Sequence, residues 1–233
     1  ERARIENLRI VGVTKEETPE VYDTFMEYTT KAYASEKSPL ELSFIPIHPG
    51  DILSYGGYHF EVKLLKGHTF GQCGLYEPEK KLMFVGDQLM TTIVPIVGTQ
   101  ETDLGMLKCY LDSLGDLKHN YKDCYFLPCH YGEIRNVEKE VNRIILGYLE
   151  KCEIMKHVLE EAGTALTTRD IGVRTYGRSQ GPPDYAHFAS CTYIWAKTFS
   201  CMEYMMGEGF VERSERDGII YWKAPSIHFE NNR

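Results

Sequence analysis

The stretch from Asp51 to Asp87, DILSYGGYHFEVKLLKGHTFGQCGLYEPEKKLMFVGD, constrains the fold more than any other part of the chain. It strings short β-rich runs between residues that force turns. Gly56-Gly57 splits the first run into a hairpin, and Glu77 to Lys80, with Pro78 among them, separate two more. Consecutive runs joined this tightly pair as an antiparallel sheet. The run SFIPI, Ser43 to Ile47, reads as a further strand just upstream.

Around this sheet the spacing of apolar residues changes from two to between three and four. Residues 19 to 35 read as a helix with Pro19 in its first turn and Val21, Phe25, Tyr28 and Tyr33 among its apolar positions. Residues 102 to 118 repeat the pattern through Leu104, Leu107, Leu111 and Leu114, and CYFLP, Cys124 to Pro128, reads as a short buried strand. A long helix is expected from Asn136 to Ala162, stopped by Gly163. Beyond it come a short helix capped by Thr167 or Thr168, a long apolar helix from Tyr185, and a hairpin turning at Asp217-Gly218. Helix, helix, helix, hairpin is the order of a winged helix.

The 233 residues suffice for one large or two modest domains, and 42% hydrophobic with 26% charged residues is the balance of a globular protein with a packed core. No apolar run is long enough to span a bilayer, and ERARIENLRI carries charges where a secretory signal has its apolar stretch, so a cytoplasmic protein is expected. Seven scattered cysteines without a C-x-x-C pair read as reduced thiols. A net charge of -8, concentrated before residue 135, disfavours polyanion binding and offers carboxylates to a cation.

Three residues share one kind of address: His68, Asp87 and His130 each follow an expected strand at a turn containing glycine or proline. Such turns aim side chains from a rigid sheet edge into a cleft. Two imidazoles and a carboxylate suit zinc, iron or manganese. Taken alone, a histidine after a strand is more often a turn or surface residue than a ligand, and Gly-Asp at a strand end is commonly a simple turn.

The run from Gly50 to Leu89 resembles the metallo-β-lactamase superfamily, in which a Gly-His-Thr turn and, about twenty residues later, a Gly-Asp turn supply metal ligands. LPCHYGEI resembles the family's later Pro-Gly-His turn. The resemblance covers roughly residues 45 to 135. It implies that His68 is a terminal ligand of a first metal, Asp87 the carboxylate bridging two metals, and His130 a ligand of the second. It implies two divalent ions, zinc foremost with iron or manganese as alternatives, and hydrolysis by a metal-bound hydroxide.

The sequence departs from the family in one major respect. The family's His-x-His-x-Asp-His loop is absent, for no two of the histidines 48, 59, 68, 119, 130, 157, 187 and 228 lie two apart. Three ligands shared by two ions leave each below the four donors it normally takes. The chain therefore reads as the C-terminal part of a longer hydrolase, inactive alone, or as a degenerate relative serving as a binding or regulatory protein. Cys129 stands where glycine usually precedes the last histidine and reads as a buried turn thiol or a soft ligand; Tyr131 reads as a pocket wall or as packing.

The expected architecture is thus α/β: part of a metallo-β-lactamase-like αββα sandwich over residues 1–135, then a linking helix and a mostly helical winged-helix-like domain over 136–233. Relatives carry such a domain as a cap, dimer contact or substrate-side wall. DNA binding is disfavoured, since Tyr185 to Met206 offers only Lys197 as a cation. Arg169, Arg174 and Arg178 read as a solvated face or contacts to an anionic substrate. The resemblance implies a small thioester or ester substrate, with RNA phosphodiester cleavage as the alternative. A half sandwich also exposes a sheet face, so self-association or a homodimer is expected.

Overall fold

The computed structural model describes residues 2–34, 44–97, 105–177 and 185–225. In chain order the elements are α1 (Arg2–Ile10), α2 (Pro19–Ala34), β1 (Ile52–Tyr55), β2 (Tyr58–Leu64), β3 (Cys73–Glu77), β4 (Leu82–Gly86) and α3 (Met106–Asn120). They continue as β5 (Tyr125–Pro128), α4 (Val137–Ala162), β6 (Leu166–Thr167), α5 (Thr168–Tyr176), α6 (Tyr185–Gly207), β7 (Glu212–Arg216) and β8 (Ile219–Lys223). The chain divides into two compact units, Glu36–Leu149 and Glu1–Ser35 with Glu150–Arg233. That division lies within α4, later than the boundary after residue 135 read from the sequence, and the first 35 residues group with the C-terminal ones.

In Glu36–Leu149 the sheet runs β1-β2-β3-β4-β5. The first three pairings are antiparallel, as the turn chemistry requires, whereas β5 lies parallel to β4 after the crossover through α3. Directions follow at once: β2, β4 and β5 all point the same way, so their C-terminal ends share one edge of the sheet. On one face Met83, Val85 and Phe126 are fully buried, and Tyr76 meets Tyr121 edge-on just beyond the end of α3, with ring centroids 5.0 Å apart. Each such side chain contributes about 1.5–3 kcal/mol by leaving water.

The opposite face is apolar and open. Register places Tyr55 beside Tyr58, Leu53 beside Phe60, and Leu75 beside Phe84 on it. Together with Leu82 the aromatic and leucine side chains line a groove of about 470 Å³. Tyr55 is 84% exposed, and Phe84 and Tyr125 about two-fifths.

The other unit holds a three-stranded sheet in the order β6-β8-β7. Thr167 caps α5 by accepting the Asp170 N–H at 3.1 Å, and Gly177 ends it in the left-handed region. The long apolar α6 buries Trp195, Phe199, Met202 and Met205, and Phe199 meets Trp222 of β8 edge-on at 5.7 Å. Tyr193, expected in this packing surface, is instead 58% exposed. Leu8 and Val13 pack with Trp195, adding α1 to this core. Among the described residues no helix is long and apolar enough to cross a membrane, and all six described cysteines are free thiols.

Two expectations need correction. Residues 44–47 of SFIPI form no strand, and Phe44 and Ile45 are over 80% exposed; Pro46 removes a ladder donor, and among the described residues no strand pairs with them. The helix expected at 102–118 begins at Met106 and runs to Asn120, its first residues before 105 lying outside those described. The remaining hairpins and the α4 span match the reading, with Asn136 accepting the Lys139 N–H at 2.9 Å as the cap of α4.

Candidate metal centre

Three turns at the shared edge build the site. The first follows β2 and is closed by the Leu65 N–H donating to the Gln72 carbonyl at 2.7 Å. Gly67 makes it possible: its φ is 149°, and a β-carbon there would stand 2.2 Å from Cδ2 of Tyr110. The backbone therefore lies against α3 with no side chain between them, and His68 is carried out over the sheet edge. Its exposure is intermediate, 27% for the side chain.

The second turn ends β4, where the pairing with β5 shifts register between Phe84 and Gly86. Gly86 takes φ 56° and lies against the Gln72 amide, which lets the chain turn and present Asp87 at the edge. The third turn follows β5. The Cys129 N–H donates to the Gly86 carbonyl at 3.1 Å, so the turns bearing Asp87 and His130 are tied together directly. Cys129 itself is exposed, not the buried thiol expected, because this bond fixes the backbone and leaves the side chain outside. Tyr131 is also exposed, adopts φ 67°, and places its ring 6.1 Å from that of His130.

The three residues named from the sequence thus come together. Asp87 sits in the middle: Nε2 of His68 is 3.5 Å from Oδ2, and Nε2 of His130 is 3.6 Å from Oδ1. Both separations exceed a hydrogen bond. Oδ1 is buried and has no hydrogen-bond partner. An unpartnered buried acceptor costs about 1–3 kcal/mol, so the fold holds this carboxylate in place against its own stability. Among the described residues no set of three or more His, Cys, Asp or Glu side chains closes into a complete cation site. These three do not either, since the imidazoles approach different oxygens of one carboxylate.

Residues that sequence reasoning missed hold the turns. Gln88 is fully buried and donates through Nε2 to the Lys66 carbonyl at 3.1 Å and to Ser113 Oγ at 3.0 Å, while its Oε1 accepts the His68 N–H at 3.4 Å. Its carbonyl accepts the Tyr110 hydroxyl at 2.8 Å. One side chain therefore clamps the His68 turn to the residue after Asp87 and to α3. Its polarity within the apolar run FVGDQLM was the available signal. On the far side, Nδ1 of His68 lies 2.8 Å from the Ile96 carbonyl.

Of the arginines considered as anion contacts, Arg169 pairs with Asp170 at 3.1 Å, Arg174 is exposed, and Arg178 lies outside the described residues.

No family model matches the chain. Over 40 residues, 17% of this chain and 19% of the relative, it is 50% identical to hydroxyacylglutathione hydrolase GloC of Haemophilus influenzae. Among solved structures it resembles a beta-lactamase domain protein from Burkholderia ambifaria, with TM-score 0.77 and 18% identity over 96% of this chain and 62% of that one. It also resembles a metallo-beta-lactamase family protein from Thermus thermophilus, with TM-score 0.65 and 20% identity over 87% and 65%. The fold is therefore metallo-β-lactamase-like, and the chain spans less than two thirds of the length of these proteins.

Proposed function

We propose that this chain carries half of the metal centre of a metal-dependent hydrolase of the metallo-β-lactamase superfamily, acting on a thioester or similar small ester. The observation that carries the reading is Asp87: its carboxylate lies between two imidazole nitrogens, each beyond hydrogen-bonding distance of a different oxygen, and the oxygen facing His130 is buried with no hydrogen bond. A protein tolerates such an arrangement where cations complete it.

The donor chemistry fits zinc, with iron or manganese as alternatives. His68 would serve one ion, His130 the other, and Asp87 both. Divalent ions bound by these residues would supply a water of lowered pKa and positive charge for an acyl oxyanion. The chain's own part is to fix three donors at one sheet edge and leave their cleft open, His130 being 61% exposed on its side chain. Three donors do not fill two coordination spheres, so the rest come from outside these residues and the chain alone is expected to hydrolyse little. The short match to a hydroxyacylglutathione hydrolase supports the thioester class.

After α4, the order β6, α5, α6, β7, β8 with sheet order β6-β8-β7 supports a winged-helix-like reading. A wall or contact role suits it better than DNA binding. Lys197, the cation of α6, is held below the usual lysine range by partial burial, which weakens it as a phosphate contact. The open aromatic face of the larger sheet supports self-association of the chain.

Cobalt(II) titration, followed by its visible absorption, tests the centre. The chain is expected to bind weakly, Asp87→Ala to lose binding, and S-acyl glutathione hydrolysis to stay near background. A chain that binds no cobalt, or binds it equally well as Asp87→Ala, is instead a noncatalytic member of the fold.

A further inference from the structure

We propose that Tyr148 of α4 is a positioning residue for His68, acting through the strap of residues 90–97 to fix which imidazole nitrogen carries the proton. The strap contains no helix or strand, so its carbonyls need partners from elsewhere. Two side chains of α4 supply them. The Tyr148 hydroxyl donates to the Pro95 carbonyl at 2.6 Å, and the Arg143 guanidinium donates to the Met90 carbonyl at 2.7 Å and the Ile93 carbonyl at 3.2 Å.

The next carbonyl along from Pro95 is that of Ile96, which faces Nδ1 of His68 at 2.8 Å. A carbonyl only accepts, so Nδ1 carries the hydrogen and the lone pair lies on Nε2, the nitrogen toward Asp87. The Tyr148 hydroxyl is one peptide unit from that deciding contact. It has little freedom to move: Tyr148 is fully buried, and its ring meets Tyr110 edge-on at 5.9 Å. Tyr110 in turn bonds the Gln88 carbonyl, so both sides of the His68 turn lead back to one aromatic pair. Arg143 is steadied by Glu140, whose carboxylate accepts its Nε at 2.8 Å. Bonds of this kind behind a metal-ligating histidine typically tune metal affinity about 10- to 100-fold.

The tautomer assignment stands on the geometry alone; its consequence for cation binding rests on the function proposed above. The test is long-range proton–nitrogen NMR of the cation-free chain labelled at histidine nitrogen, at a pH where imidazole is neutral, with His68 identified by its loss in His68→Gln. The unsubstituted chain should show His68 as the Nδ1–H tautomer. Tyr148→Phe, which removes one oxygen and keeps the ring, should populate the Nε2–H tautomer as well and weaken cobalt(II) binding about 10- to 100-fold. Arg143→Lys loosens the same strap from a part-exposed position and should shift His68 in the same direction, which keeps the test usable if Tyr148→Phe does not fold.

An Nε2–H tautomer in the unsubstituted chain, or an Nδ1–H tautomer unchanged in every variant that folds, overturns the proposal. A tautomer that shifts in a chain with no cobalt affinity leaves the positioning role standing and removes the metal reading alone.

Discussion

Gly67→Ala is the sharpest perturbation of the His68 turn. The added methyl would lie 2.2 Å from Cδ2, 2.5 Å from Cβ and 2.7 Å from Cα of Tyr110. Carbon atoms in contact sit about 3.5–4.0 Å apart, so the nearest approach is too close by more than an ångström. The nearest atom belongs to a side chain, but the third is backbone of α3. Tyr110 is fully buried with its hydroxyl bonded to Gln88, which leaves no rotamer free to relieve the clash. Either the turn or the helix must shift. Overpacking of this kind costs about 1–3 kcal/mol, and holding a non-glycine residue at φ 149° adds about 1–3 kcal/mol. A total of roughly 2–6 kcal/mol, at a urea m-value of about 2 kcal/mol/M, lowers the unfolding midpoint by about 1–3 M. Gly71, four residues on in the same loop, has nothing within 4 Å and no positive φ, so Gly71→Ala should leave the stability within about 0.5 kcal/mol of the parent. Circular dichroism follows the whole chain, whereas tryptophan fluorescence reports only the unit bearing Trp195 and Trp222. The share of the shift seen in fluorescence therefore measures how far the two units unfold together. A Gly67→Ala stability within about 1 kcal/mol of the parent, or one matched by Gly71→Ala, would refute the packing argument.

Burial raises the Tyr110 hydroxyl far above the tyrosine value of 10.0, so between pH 10 and its folded pKa the native state keeps a proton that the unfolded chain releases. Its contribution is complete below pH 10 and is lost as pH rises, at about 1.4 kcal/mol per pH unit. Urea unfolding of the chain between about pH 9 and 11 should show this slope, and Tyr110→Phe should reduce it by that amount; an unchanged slope would mean the hydroxyl ionises in the folded state. Asp87→Asn removes the charge from a buried, unpartnered carboxylate oxygen. With chelator present at neutral to mildly alkaline pH it should stabilise the chain by about 1 kcal/mol, near the lower end of what an unsatisfied buried acceptor costs because the side chain is 29% exposed. Thermal unfolding that shows a loss instead would assign Asp87 a structural bond.

What could be read in the sequence was whatever local chemistry decides. Gly56-Gly57 and Asp217-Gly218 forced hairpins, Thr167 capped a helix through its own hydroxyl, and the turns at strand ends pointed to His68, Asp87 and His130. What could not be read depends on partners distant in sequence. Arg2–Ile10 is too short and charged to announce a helix; Leu8 gains from it only by packing with Trp195. Leu166–Thr167 is a strand only because β8 lies beside it. The pattern CYFLP shows a buried strand but not that it pairs parallel with β4, the one fact that brings His130 to the same edge as Asp87. Tyr148 reads as an ordinary apolar position of α4, and its hydroxyl becomes meaningful only once Pro95 is placed opposite.

The parallel pairing of β5 with β4 also sets the geometry of the three turns. Had β5 joined antiparallel, His130 would emerge at the opposite end of the sheet from Asp87. With the strands co-directional, the Cys129 N–H reaches the Gly86 carbonyl, and the two turns are fixed by a bond of the sheet itself. The His68 turn lacks such a ladder bond to β4 because β3 intervenes, and side chains replace it: Gln88 on one side, the strap held by Tyr148 and Arg143 on the other. Positioning by side chains is more sensitive to substitution than positioning by backbone, since one lost oxygen removes a contact that a ladder would retain. The His68 arm is therefore where changes remote from the cleft act on it, whereas the Asp87–His130 arm changes only when the sheet does.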